Sequence, residues 1–95
     1  MTFKFAHFNF NITDLARSLK FYKEALGLKE KRRLQAEDGS YTIVYLSDGS
    51  DSFELELTCL PSHPQKYDLG ECEFHLAMAV SYTHLRAHET AANLV

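Results

Sequence analysis

Between residues 12 and 15 the apolar period of this chain changes from two to nearly four, and that switch narrows what it can fold into. Before the switch the even positions read Ala6, Phe8, Phe10 and Ile12, and the odd positions read His7, Asn9 and Asn11. Such alternation makes a strand with one apolar and one polar face, because successive strand side chains point to opposite sides. After the switch Leu15, Leu19, Tyr22 and Leu26 recur at i, i+4, i+7 and i+11, a single stripe along a helix. Thr13 or Asp14 offers the N-cap and Gly27 the left-handed stop, so the spacing predicts a helix over residues 14–26. Phe3 and Phe5 extend the first strand to residue 3 and break its pattern, so its odd face is expected to be partly covered there.

Further strands follow. Residues 28–34 read as a strand that turns out into solvent, and Glu37-Asp38-Gly39-Ser40 as a turn. Residues 41–47, YTIVYLS, are β-branched and aromatic and read as a strand. Asp48-Gly49-Ser50-Asp51 is another turn. Over residues 52–59 Phe53, Leu55, Leu57 and Cys59 alternate with Glu54, Glu56 and Thr58. A polar loop carries Pro61 and Pro64 and runs to Gly70. Residues 73–80 alternate once more, Phe74, Leu76, Met78 and Val80 against Glu73, His75, Ala77 and Ala79. The order is β-α-β-β-β, a loop, then one more strand: an α+β fold. Ala-His-Phe at 6–8 is echoed by Phe-His-Leu at 74–76. The last strand therefore reads as the first strand of a second βαβββ module.

The totals exclude several classes. Ninety-five residues suit one small domain. Four glycines and two prolines rule out collagen-like and low-complexity chains. A net charge of −3 argues against nucleic acid as a partner. The basic run Lys29, Lys31, Arg32, Arg33 is offset by Glu30, Glu37 and Asp38 and reads as a solvated helix end or turn. No apolar run approaches the roughly 20 residues of a membrane span, so no membrane partner is expected. The start, MTFKFAHF, lacks the charged-then-apolar order of a signal peptide. Cys59 and Cys72 are read as free, partly buried thiols of a reducing cytoplasm, which implies a cytoplasmic protein.

His7, Glu56 and His75 each sit mid-strand on a polar face. Two imidazoles and a carboxylate suit a borderline divalent cation such as zinc or nickel. No compact ligand motif joins them, and taken singly each reads as an exposed or hydrogen-bonded strand residue.

A resemblance adds to this. HFNFNITDLARSLKFYKEALGL (7–28), FELELT (53–58), YDLG (67–70) and FHLAMAV (74–80) resemble the glyoxalase I family, the lactoylglutathione lyases of the vicinal-oxygen-chelate superfamily. The resemblance covers residues 4–79. It implies a homodimer with two βαβββ modules per chain and one divalent metal ion per site, nickel or zinc. It places metal ligands at His7, Glu56 and His75, the first two in one subunit's half-site and the third in the partner subunit's. A fourth ligand, a glutamate on the last strand of the second module, would fall past residue 95. The implied reaction isomerises the hemithioacetal of methylglyoxal and a thiol to the lactoyl thioester. The metal acts as a Lewis acid and a glutamate moves the proton. Glu56 is the catalytic candidate for part of that shuttle. The usual main base is the fourth ligand, so the 95-residue chain itself is expected to be inactive.

Two positions depart from the pattern. Asn11 stands where well-studied members carry an arginine for the glutamyl carboxylate, and Leu60 where they carry an asparagine. Asn11 remains a substrate-binding candidate, without the charge that strengthens such bonds. The cosubstrate is therefore glutathione or another thiol. Relatives of the same fold offer other functions: a thiol transferase, a ring-cleaving dioxygenase using iron, or a metal-free drug-binding module. The ELT block and the YDLG loop favour the lyase, and His7 counts against the metal-free module.

Residues 81–90, SYTHLRAHET, place His84 and His88 four apart with Glu89 next. They allow a zinc-gripping helix, a plain surface helix, or neither. Codon by codon, residues 80–90 also match what a transposase adapter used in DNA sequencing encodes. On that reading the domain is 1–79, with 4–71 the first module and its loop, 73–79 the opening strand of the second, and 80–95 an artefactual tail.

Overall fold

The computed structural model describes residues 1–80; the His84/His88 pair and the rest of the tail lie outside them. Five elements follow in chain order: β1 (His7–Ile12), α1 (Leu15–Leu26), β2 (Lys29–Gln35), β3 (Thr42–Ser47) and β4 (Glu54–Cys59). The strands form one mixed sheet in the order β1-β4-β3-β2. β1 runs parallel to β4, while the β3–β4 and β2–β3 pairs are antiparallel. This is the βαβββ order that the resemblance implies.

Local chemistry sets the ends of α1. Asp14 has extended backbone angles, and its carboxylate accepts from the Arg17 N–H at 3.1 Å, satisfying one of the donors that a helix start leaves open. At the other end Gly27 adopts φ 68°, a left-handed conformation that costs a side-chain-bearing residue. The N–H groups of Gly27 and Leu28 then return to the carbonyls of Lys23 and Tyr22.

The core lies between α1 and one face of the sheet. Leu28, Val44, Leu46, Leu55 and Leu57 are buried together, and Phe10, Ile12, Leu15, Leu19 and Tyr22 pack against them half-buried. Val44 and Leu57 are fully enclosed because β3 and β4 are the inner strands. The helical stripe thus meets the sheet as its spacing predicts, except that Leu26 is 42% exposed at the last turn.

Four expectations need correction. Residues 3–6 do not extend β1, and Phe3 and Phe5 are 89% and 87% exposed, so nothing covers them among the described residues. The basic run is not a helix end or turn but most of β2, an exposed edge strand. Three of its four cations are paired, Lys31 with Asp51, Arg32 with Glu54 and Arg33 with Glu30, and a charged edge resists pairing with other chains. Cys72 is exposed, and only Cys59 is partly covered.

The fourth correction concerns residues 73–80, which carry no ladder pairing. Alternation alone does not make a strand; the backbone also needs a partner edge. Here the segment lies against the apolar face instead. Leu76 packs on the core cluster, the Phe74 ring lies 6.2 Å from that of Phe8, and residues 76–79 border Leu28, Leu46 and Leu55. One twelve-residue helix, none of whose residues is fully buried, leaves apolar sheet surface open, and this segment takes part of it.

Candidate active site

The side of the sheet away from α1 carries the polar partners of the core residues. Alternation sets His7, Asn9 and Asn11 on this side of β1, and Glu54, Glu56 and Thr58 on this side of β4. Parallel pairing places Asn9 against Glu56 and Asn11 against Thr58. On the other flank of β4, Tyr45 lies opposite Glu56, and Arg32 of β2 lies opposite Tyr45. One row thus crosses all four strands: Asn9, Glu56, Tyr45, Arg32.

Beside this row His7 Nε2 stands 3.5 Å from Glu56 Oε2. The His7 side chain is 42% exposed and that of Glu56 only 13%, so the imidazole faces solvent and the carboxylate sits beneath it. Glu56 is held from below. The Thr58 hydroxyl lies 3.3 Å from Glu56 Oε1 and donates to Asn9 Oδ1 at 2.6 Å, and Asn9 Nδ2 donates to Asn11 Oδ1 at 2.8 Å. Hydrogen bonding with Glu56, followed by burial, raises the Tyr45 phenol above its ordinary range. Arg32 grips Glu54 with two nitrogens, at 3.3 and 3.1 Å, and this hydrogen bonding holds the Glu54 carboxyl below the usual carboxylate range.

Of the residues singled out from the sequence, the fold brings His7 and Glu56 together, and Asn11 adjoins them through Asn9 and Thr58. His75 is exposed and does not join the pair, and among the described residues no three metal-ligating side chains converge. Asn11 also borders a cleft of about 480 Å³ at the start of α1, with Arg17, Lys66 and Tyr67 on its walls. Sequence reasoning missed Tyr45 and Arg32. Tyr45 sits in an apolar run that reads as core, and Arg32 in a charge run that reads as solvated surface. The one available signal was alternation in β3, which sets Tyr45 on the opposite face from Val44 and Leu46.

The His7–Glu56 pair suits a cation by its chemistry. An imidazole nitrogen and a carboxylate oxygen are donors that zinc and its neighbours accept, and two donors on one ion at about 2.0–2.2 Å each stand roughly this far apart.

A helix packed on a mixed sheet in βαβββ order sets the class of fold. The chain belongs to the Glyoxalase/Bleomycin resistance protein/Dioxygenase superfamily, whose family model matches residues 4–92. It is similar to lactoylglutathione lyase from Neisseria meningitidis, 35% identical over 79 residues, which cover 78% of this chain and 54% of that protein. The lactoylglutathione lyase of Haemophilus influenzae is 34% identical over 76 residues, covering 78% of this chain and 56% of that protein. Among solved structures, the trypanothione-dependent glyoxalase I of Leishmania major superposes with a TM-score of 0.73 at 33% identity, covering 93% of this chain and 61% of that one. Glyoxalase I from Zea mays gives a TM-score of 0.52 at 38% identity, covering 57% of this chain and 20% of that one. The chain spans about half the length of the curated relatives it matches.

Proposed function

We propose that this chain is the first-module part of a metal-dependent lactoylglutathione lyase, with His7 and Glu56 as two of the donors for a divalent cation, nickel or zinc. The observation that carries this is the 3.5 Å approach of His7 Nε2 to Glu56 Oε2 on the open face of the sheet, in a chain about 35% identical to lactoylglutathione lyases. When bound, the cation supplies Lewis-acid polarisation of the substrate oxygens.

The chain's own residues contribute the rest. His7 and Glu56 hold the site, and Thr58 and Tyr45 orient the carboxylate from either side. Glu56 Oε2 takes part in moving a proton from the thiol-bearing carbon of the hemithioacetal to the adjacent carbonyl carbon, while the hydroxyl proton on the first carbon passes to the former carbonyl oxygen. No atom leaves, and the product is the lactoyl thioester. Asn11 binds the thiol: its Oδ1 is occupied by Asn9, which leaves its Nδ2 to donate to a carboxylate on the cosubstrate. That cosubstrate is a small thiol, glutathione or another. The Leishmania major relative is described as trypanothione-dependent, so the thiol differs among proteins similar to this one. In the working enzyme the site is completed across a homodimer, with His75 donated by the partner subunit. Cytoplasmic residence fits two free cysteines, and among the described residues no helix is long and apolar enough to cross a membrane.

The test is Glu56→Gln in a polypeptide that carries both modules. It should abolish methylglyoxal–thiol isomerisation, read as thioester formation; retained turnover would show that Glu56 is not in the site. The 95-residue chain itself should show little or no turnover with nickel or zinc, because its described residues bring only two donors together. Turnover near that of a two-module relative would refute this.

A further inference from the structure

The ladder between β2 and β3 slips by one residue. Lys29 pairs with Ser47 and Glu30 with Leu46, but Arg32 then pairs with Tyr45 and Arg33 with Val44, so Lys31 is an extra residue with no partner. A bulge of this kind re-aims the side chains that follow it. In an unbroken ladder Arg32 would lie opposite Val44 and point to the helix side. With the bulge it lies on the open face. There its guanidinium carbon sits 3.7 Å from the centre of the Tyr45 ring, and its nitrogens grip Glu54. Glu30 and Arg33 take the helix side and pair with each other at 2.7 Å.

Tyr45 is thereby sandwiched. Arg32 covers its ring, and the His7 ring meets it edge-on at 5.7 Å and 79°. Glu56 is its cross-strand neighbour, and Tyr45 is only 7% exposed. A tyrosine fixed in this way leaves His7 and Glu56 little freedom to turn away from each other.

We propose that Tyr45, aimed and clamped by Arg32 through the bulge at Lys31, is the positioning residue that sets the His7–Glu56 pair for a divalent cation. This rests on the assignment of that pair as metal donors. Positioning partners of metal ligands typically change metal affinity by about 10–100-fold when removed.

The experiment titrates the full 95-residue chain with Ni²⁺ alone, by calorimetry or by competition with a chromophoric chelator, in a His84→Ala, His88→Ala background that removes the tail's own imidazole pair. Four variants are compared: Tyr45→Leu, Tyr45→Phe, Arg32→Gln and Glu56→Gln. Far-UV circular dichroism confirms that each is folded, and Co²⁺ absorption reports the ligand environment. Tyr45→Leu should weaken Ni²⁺ binding by about 10–100-fold and shift the Co²⁺ spectrum. Tyr45→Phe keeps the ring between Arg32 and His7 and should recover part of that loss. Arg32→Gln should weaken binding less than Tyr45→Leu does. It lies on an exposed strand, so it decides the matter if Tyr45→Leu does not fold. Unchanged affinity in folded Tyr45→Leu, or in Arg32→Gln, while Glu56→Gln abolishes binding, overturns the positioning role and leaves the donor pair standing. Undiminished uptake by Glu56→Gln, or no uptake by the background chain, overturns the donor assignment and the inference with it.

Discussion

The two faces of the sheet share the same strands and do different work. On the helix side Val44, Leu46, Leu55 and Leu57 exclude water and supply the non-directional part of the stability. On the open side His7, Glu56, Tyr45 and Arg32 stay ordered beside solvent through directional contacts. Neighbours in sequence therefore have unrelated jobs. Leu57 is fully buried, and Glu56 beside it faces the candidate cation site. The period of two in a strand makes this possible, because a change on one face need not disturb the other.

That contrast is most exposed to test at these two adjacent positions. Leu57→Ala should destabilise the chain by about 2–5 kcal/mol, since a fully enclosed leucine leaves a cavity. Ni²⁺ affinity per folded molecule should not change. Glu56→Gln should do the reverse, leaving the denaturant midpoint near its original value and removing metal binding. If both variants lose both properties, the faces are not independent.

A smaller effect is expected where α1 is fixed over the apolar side. Asp14→Ala removes the cap to Arg17 and should cost about 1 kcal/mol in urea unfolding. Gly27→Ala forces a β-carbon into a left-handed backbone at φ 68° and should cost a similar ~1 kcal/mol. Neither should alter the Co²⁺ spectrum of the site, and a spectral change would show that helix docking reaches through the sheet.

Acid should loosen the sheet margins and turns more gently. Hydrogen bonding with Arg33 lowers the Glu30 carboxyl, and hydrogen bonding with Arg32 lowers that of Glu54. Asp38 and Asp48 are lowered by the serines two residues on. A carboxyl whose folded pKa is depressed contributes stability that is complete above its unfolded value and lost as pH falls through the folded one. The unfolding midpoint should therefore decline as pH drops below 4.5 for the glutamates and 3.8 for the aspartates, and salt should shrink that slope. A midpoint flat down to pH 3 would mean these pairs contribute nothing. The smallest change belongs to the N-terminal arm. Phe3→Ser with Phe5→Ser should leave thermal stability unaltered, because both rings already lie in water.

Much of the local structure was legible in residue order. Alternation marked which side chains of β1 and β4 share a face, and Asp14 and Gly27 marked where α1 begins and ends. His7, Glu56 and His75 stand out because each sits mid-strand on a polar face, whereas Asn11 stands out only through the family resemblance; of the three, the fold brings His7 and Glu56 together and leaves His75 apart. Residues 73–80 show where that reasoning stops. Their alternation is as regular as that of β4, yet they lie on the apolar face without a ladder partner, because hydrogen-bond pairing depends on which edge is free and near.

Strand adjacency is the part that sequence order did not contain. β1 pairs with β4 and not with β2, and only that parallel pairing brings residue 7 to residue 56. Likewise a one-residue slip in the β2–β3 ladder turned Arg32 from the helix side to the Tyr45 ring. Periodicity records which way a side chain faces, since that follows from backbone geometry alone. Which strand it then meets depends on how separate segments bury their apolar faces against one another, a property of the folded whole.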